Sequence, residues 1–131
     1  MDAREHFQYV VVPNYNEFVQ SQSEFRLLAS TIISMNTVAE YLGLDRRGYP
    51  SDISRDQRRR EAQEVRDDLS LADLQVCADA LKHVRKGDGV SLSSTGINTN
   101  DPTTWKIGDH DLVKVAHQSF ATLQKEFQQV S

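Results

Sequence analysis

Residues 71–89, LADLQVCADALKHVRKGDG, contain the helix on which the predicted fold depends. At 100° per residue, its apolar side chains form one broad arc that continues around the back of the helix. A helix that is apolar on most sides is expected to lie at the centre of a bundle. Cys77 lies on this arc and is expected to pack as a small core residue. Ser70 and Asp73 have capping spacing, so the helix is predicted to begin at Ser70 after a turn.

The same helix ends in a basic cluster formed by Lys82, His83, Arg85 and Lys86. Asp79 lies one turn before His83, at the spacing of a carboxylate that orients an imidazole. These residues are candidates for a catalytic site in which Lys82 and Arg85 stabilise a phosphate-like transition state. Basic residues also favour the negative end of a helix dipole, and glycines follow directly. The cluster is therefore interpreted first as a helix end.

Two other segments have clear helical periodicity. Residues 23–50 carry apolar side chains at three- and four-residue steps, which predicts an amphipathic helix that ends at Gly43 or Gly48. Asn14 and Ser21 both have capping-box spacing, so residues 14–43 form either one helix or two. The last helix carries a heptad-like seam suited to a bundle neighbour or a second subunit. Its members are Val113, Ala116, Phe120, Leu123, Phe127 and Val130.

Residues 87–108 are predicted to be non-helical. Apolar and polar residues alternate within the segments VSLSS and TTWKI, and turn-forming residues separate the two segments. This pattern predicts a small β-ribbon. Trp105 is expected to pin this ribbon to the bundle, because tryptophan usually buries most of its area. Asp109 is expected to cap the last helix, with His110 and Asp111 in its first turn rather than in a metal site.

Residues 54–69 are predicted to form a highly charged helix, with a capping box between Ser54 and Gln57. Six arginines precede or lie within it: Arg46, Arg47, Arg55, Arg58, Arg59 and Arg60. They are candidates for nucleic-acid contact if they converge on one face. Acidic residues balance the arginines along the helix, with Arg60 and Glu64 at pairing distance, so a solvated face is the preferred interpretation.

Together these elements predict one all-α domain over residues 1–131, an antiparallel bundle of about four main helices. Residues 1–13 are expected to form an N-terminal extension, and residues 87–108 a ribbon or loop insertion before the last helix. A chain of 131 residues is long enough for a single hydrophobic core.

Composition and motifs argue against several classes of function. The formal net charge of −4 disfavours a general nucleic-acid binder, because that affinity comes mainly from basic side chains. One cysteine permits no internal disulfide, and no CxxC, GxGxxG, Walker A or HExxH pattern occurs, so neither a cofactor nor a metal site is expected. The N-terminal sequence lacks the pattern of a signal peptide, and no apolar run reaches 18 residues. These features predict a cytoplasmic protein with no membrane partner.

The segments LADLQVCADALKHVRK and FRLLASTIISMNTVAEYLG, with the ribbon and final helix in the same order, resemble HEPN-like bacterial all-α proteins. The resemblance covers roughly residues 18–128 and depends on helix order and the Lys82-His83 pair. It implies a four-helix bundle, commonly dimeric, in a superfamily that includes RNases of toxin and defence systems and also non-catalytic members. The catalytic members use an arginine, four to six variable residues and a histidine. The corresponding positions before His83 are Val76, Cys77 and Ala78, so this chain departs from the catalytic pattern.

The sequence therefore favours a non-catalytic helical-bundle protein that acts by contact with a partner protein or with itself. Its expected setting is an accessory or regulatory module of a bacterium or mobile element. One alternative is a divergent metal-independent RNase that uses His83, with Asp79, Lys82 and Arg85 in support. The other is a nucleic-acid contact through the arginine-rich residues 46–60.

Overall fold

The computed structural model describes residues 1–48, 52–83 and 102–128, without the side chains of His83 and Thr104. Its elements in chain order are α1 (Ala3–His6), a π-helical segment (Phe7–Val11), α2 (Val12–Gln20), α3 (Phe25–Arg47), α4 (Arg55–Asp68), α5 (Ala72–His83), a 3-10 turn (Pro102–Thr104), β1 (Lys106–Ile107), β2 (His110–Asp111) and α6 (Leu112–Gln128). The predicted all-α bundle with a small ribbon before its last helix is confirmed.

Helix α3 lies at the centre of the bundle. It contacts α1, the π-helical segment, α2, α4, α5 and α6. The expectation that residues 71–86 form the central helix was wrong. Helix α5 buries Leu74, Cys77 and Ala78 as predicted, but Val76 on its back is 47% exposed. A helical wheel shows which side chains are apolar, whereas the neighbouring helices decide which of them are covered.

The N-terminal residues are part of the bundle rather than an extension from it. A capping box begins α1, with the Asp2 carboxylate accepting from the Glu5 backbone N–H at 2.8 Å. The π-helical segment follows and ends at Val11, and Pro13, which has no backbone N–H, lies in the first turn of α2. The helix then continues to Gln20, and α3 starts separately at Phe25. Residues 14–43 therefore belong to two helices, and neither begins at Asn14.

The N-terminal and C-terminal helices share an aromatic core. The Phe7 ring stacks on Phe120 and Phe127, with ring centroids 5.6 and 4.8 Å apart, and the Tyr15 ring lies parallel to Phe120. Phe120 and Leu123 are buried as the heptad-like seam of α6 predicted. The first turns of α6 also bury Leu112 and Val115, which the seam did not include.

Helices α3 and α4 approach each other closely at Gly43. The α3 helix does not end there but at Arg47, where Gly48 adopts a left-handed conformation with φ of 71°. The predicted capping box of α4 is confirmed by reciprocal hydrogen bonds between Ser54 and Gln57. Ala39, Ala62 and Val65 form a small buried cluster at this helix crossing.

The chain turns sharply between α4 and α5, as predicted, but Ser70 has a different role from the expected one. It has φ of 58°, and the Leu71 N–H donates to the Arg66 carbonyl at 2.8 Å. This pattern is a Schellman motif that ends α4, with Ser70 at the left-handed position. Helix α5 starts at Ala72, so Ser70 is not its N-cap.

The ribbon pairs Lys106 with Asp111 and Ile107 with His110 in antiparallel register. TTWKI therefore contributes to the ribbon as predicted, whereas VSLSS lies outside the described residues. Trp105 is fully buried and contacts the Phe25 ring edge-on, with centroids 5.3 Å apart. This contact confirms that Trp105 pins the ribbon to the bundle.

Asp111 is the N-cap of α6. Its Oδ1 accepts hydrogen bonds from the backbone N–H groups of Val113 (3.1 Å) and Lys114 (3.2 Å). The prediction that Asp109 caps this helix was wrong, since Asp109 lies in the ribbon turn after Gly108. His110 lies in β2 and not in the first turn of the helix.

By length and composition, α3 is the one described helix that could cross a membrane. Half of its most apolar window is buried inside the bundle. The core helix of a soluble protein passes the same test, so this composition is weak evidence for a membrane.

Replacing Gly43 with alanine is expected to destabilise the fold by about 1–3 kcal/mol, the usual cost of overpacking. The new Cβ would lie 2.9 Å from the Glu61 Cβ and 3.1 Å from the Glu61 carbonyl carbon, so backbone must move. Urea denaturation measures the loss. Ser30→Ala, at an exposed position of the same helix, is the control. A Gly43→Ala protein as stable as this control would contradict the close approach.

The Cys77 thiol is expected to resist thiol reagents in the native protein at neutral pH and to react after unfolding. Burial, and then the nearby Asp73 carboxylate, raise its pKa to about 11. The unfolded thiol ionises near pH 8.5, so the folded state loses stability between about pH 8.5 and 11. Urea denaturation at pH 8 and pH 10 tests this, and the decline should be smaller in Cys77→Ala. Equal declines in both proteins would contradict the shift.

Candidate functional site

The first half of α4 presents three arginines on one side. Arg55, Arg58 and Arg59 are spaced three and four residues apart, so they share a helix face with Ala62. Ala62 is buried against α3, which directs this face along the α3–α4 boundary. The three arginines line a cavity of about 290 Å³ together with Ala62 and Glu40 of α3.

A second cavity of about 230 Å³ adjoins the first. It is lined by Thr37, Glu40, Tyr41, Leu44 and Arg58. Because Glu40 and Arg58 line both cavities, the two form one depression between α3 and α4. We call this depression the arginine groove.

Five of the six arginines singled out by the sequence fall into two groups, and Arg60 belongs to neither. Arg46 pairs with Asp68 at 3.0 Å, and Arg47 donates from Nε to Glu61 at 2.6 Å. These two ion pairs bridge α3 and α4 at the surface. Arg60 is exposed and lies 100° further around the helix than Arg59, outside the residues that line the groove.

The groove arginines form the second group. Across residues 1–48, 52–83 and 102–128, no carboxylate makes an ion pair with Arg55, Arg58 or Arg59. All three side chains are solvent-exposed, and Glu40 is the one acidic residue among the described lining residues. The groove therefore carries a formal charge of +2 from three arginines and one glutamate.

Beside the groove, a buried guanidinium anchors α4 to α3. Arg66 is 8% exposed and donates from Nε to the Asn36 side-chain oxygen at 3.0 Å, with a longer bond from Nη2 to the Asn36 carbonyl. Burial lowers the pKa of Arg66, and the carboxylates of Glu40 and Asp79 oppose that shift. Glu40 thus faces a buried cation as well as the groove.

Sequence reasoning missed this anchor and the α3 side of the groove. A signal for the anchor was present, because Asn36 is a polar residue on the apolar face of the α3 segment. Arg66 likewise falls on the same side of α4 as Ala62. The lining residues Thr37 and Tyr41 carry no such signal, since nothing local indicates that α4 leaves a depression beside them.

The structure describes the side chains of two of the four predicted catalytic residues. Asp79 and Lys82 are both exposed on α5, and the carboxylate of Asp79 is near enough to Arg66 to influence its pKa. The side chain of His83, and Arg85 as a whole, lie outside the described residues. The predicted pairing of Asp79 with His83 therefore stays a prediction.

The histidines of the described residues serve separate contacts. His6 is buried, lies within hydrogen-bonding distance of the Ser34 carbonyl (3.0 Å), and stacks on Tyr41. His117 lies 2.7 Å from the Tyr15 hydroxyl, and burial raises the pKa of that phenol. His110 lies 3.6 Å from the Asp73 carboxylate. Within the described parts of the chain, no three histidine, cysteine or acidic side chains gather as a metal site would require.

No protein-family model matches this sequence, and no curated protein or solved structure is significantly similar to it.

Asn36→Ala is expected to lower the free energy of unfolding by about 2 kcal/mol, because it removes an acceptor from a buried charged donor. Urea denaturation of Asn36→Ala, Arg66→Met and the double variant measures this loss. The double variant should lose less than the sum of the single losses, since both act on one hydrogen bond. Fully additive losses would contradict the anchoring role.

Proposed function

We propose that this protein is a non-catalytic module that acts by contact with a partner protein, and that the arginine groove binds an acidic segment of that partner. The observation that carries the proposal is the cluster of three exposed arginines without an ion-pair partner in the described residues. Like charges on one helix face repel each other. An anionic partner relieves that repulsion, and guanidinium groups bind carboxylates through paired hydrogen bonds.

An acidic protein segment fits the groove better than a nucleic acid does. Affinity for nucleic acids depends on many basic side chains that neutralise a run of phosphates. Here Arg46 and Arg47 are already paired with carboxylates, and Glu40 lies inside the groove. The cationic surface is therefore short, and the whole chain has a net charge of −4. These features favour a local contact with a few anionic groups.

The setting we propose is the bacterial cytoplasm, where the protein serves as an accessory or regulatory module of the bacterium or of a mobile element. A single buried thiol is compatible with a reducing compartment. Self-association is the alternative form of this contact, and the groove does not require it. The RNase alternative depends on His83 and Arg85, and no contact among the described residues favours it over partner binding.

A labelled tetraglutamate peptide is the direct probe, with binding followed by fluorescence anisotropy at about 50 mM salt, where screening is modest. We expect Arg58→Gln and Arg59→Gln to weaken binding by roughly tenfold each, or about 1.4 kcal/mol. Arg60→Gln is the matched control, because it removes one exposed arginine of α4 that does not line the groove. It should bind as the wild type does, and so should Lys82→Ala.

Two results would overturn the proposal. One is equal loss of peptide binding in Arg60→Gln and Arg58→Gln, which would indicate a diffuse charge effect. The other is tighter binding of a single-stranded oligonucleotide than of any acidic peptide, with a steep dependence on salt. The second result would instead support the nucleic-acid alternative.

A further inference from the structure

The carboxylate of Glu40 is the unexpected member of the arginine groove. A site that only collected anions would be weakened by a negative charge among its cations. Glu40 nevertheless lines both cavities, and it has no ion pair with any arginine of the described chain. Glu40 is exposed, so besides its electrostatic effect on the buried Arg66 it can accept a positive charge or a hydrogen bond from a bound segment at this point.

The second cavity has the chemistry to accept a basic side chain. Tyr41 and Leu44 supply apolar surface beside Glu40. Thr37 also lines this cavity, and its hydroxyl donates its proton to the Ile33 carbonyl at 3.0 Å, so the hydroxyl oxygen keeps the capacity to accept. A lysine or arginine stem can lie along the apolar surface while its charged end reaches Glu40.

The first cavity has more positive charge than one carboxylate needs. If Glu40 is paired with a basic residue of the ligand, three guanidinium groups are left for the anion. A phosphate group carries nearly two negative charges at neutral pH and three acceptor oxygens, which matches several guanidinium groups at once. A glutamate offers one charge and two oxygens.

We infer that the groove recognises a phosphorylated serine or threonine with a basic residue two positions away, a spacing that places both side chains on one side of an extended segment. The phosphate lies among Arg55, Arg58 and Arg59, and the basic residue pairs with Glu40. This inference rests on the proposed function, because it specifies which partner segment the same groove binds.

Three labelled peptides of equal length test the inference on the wild-type protein. One has phosphoserine with lysine two residues later, one has phosphoserine with glutamate there, and one has unphosphorylated serine with lysine. We expect the first to bind roughly tenfold more tightly than either of the others, or about 1.4 kcal/mol. Equal binding of the phosphoserine peptides with lysine and with glutamate would overturn the inference.

Variants at Glu40 test whether its carboxylate recognises the lysine of the peptide. Glu40→Gln should remove the preference for lysine over glutamate, and Glu40→Lys should reverse it. Glu64→Gln, at an exposed acidic position of α4 outside the groove, is the control and should keep the preference. Circular dichroism checks that each variant is folded. A lysine preference that persists in Glu40→Gln would also overturn the inference.

Failure of the inference differs from failure of the proposed function. If the tetraglutamate peptide binds at the groove arginines as tightly as the best phosphopeptide, the acidic-segment function stands and the phosphate specificity is wrong. If none of these peptides binds, or if Arg58→Gln weakens none of them, the proposed function is wrong as well.

Discussion

The contact between α3 and α4 at Gly43 is the constraint on which the rest of the structure depends. Because Gly43 has no Cβ, the backbone of α4 at Glu61 comes close enough for Ala39, Ala62 and Val65 to form a buried cluster. Burial of Ala62 fixes the rotation of α4, and with it the side on which the groove arginines lie. The position of the groove therefore follows from a packing requirement several residues away.

Arg66 shows how this interface tolerates a buried charge. A guanidinium at 8% exposure would be costly without acceptors, and the Asn36 side chain supplies a neutral one. The carboxylates of Glu40 and Asp79 add favourable charge without forming an ion pair with Arg66 in the described structure. Glu40 therefore lies within electrostatic range of a buried cation as well as beside the groove.

The arginines of this chain have different roles because their neighbours differ. Arg46 and Arg47, near the end of α3, reach carboxylates on α4 and stabilise the helix pair. The arginines of the first turns of α4 face α3 where it presents Glu40, Thr37 and Tyr41, and so leave positive charge available to a ligand. Residue composition predicts neither outcome, since arginine suits both.

The sequence alone determined the helical segments, the capping box at Ser54, and the burial of Cys77 and Trp105. These features depend on the spacing of apolar residues, on capping residues three positions apart, or on the burial preference of a single residue type, all of which the sequence displays.

The sequence misassigned Ser70 and Asp109, because several polar residues near a helix end can serve as caps, and the backbone conformation decides which one does. Only the tertiary structure decided that α3 is central and that three of the six arginines line a groove without an ion-pair partner among the described residues. Those outcomes depend on contacts between residues far apart in the chain. A local sequence pattern does not indicate which distant segments pack against each other.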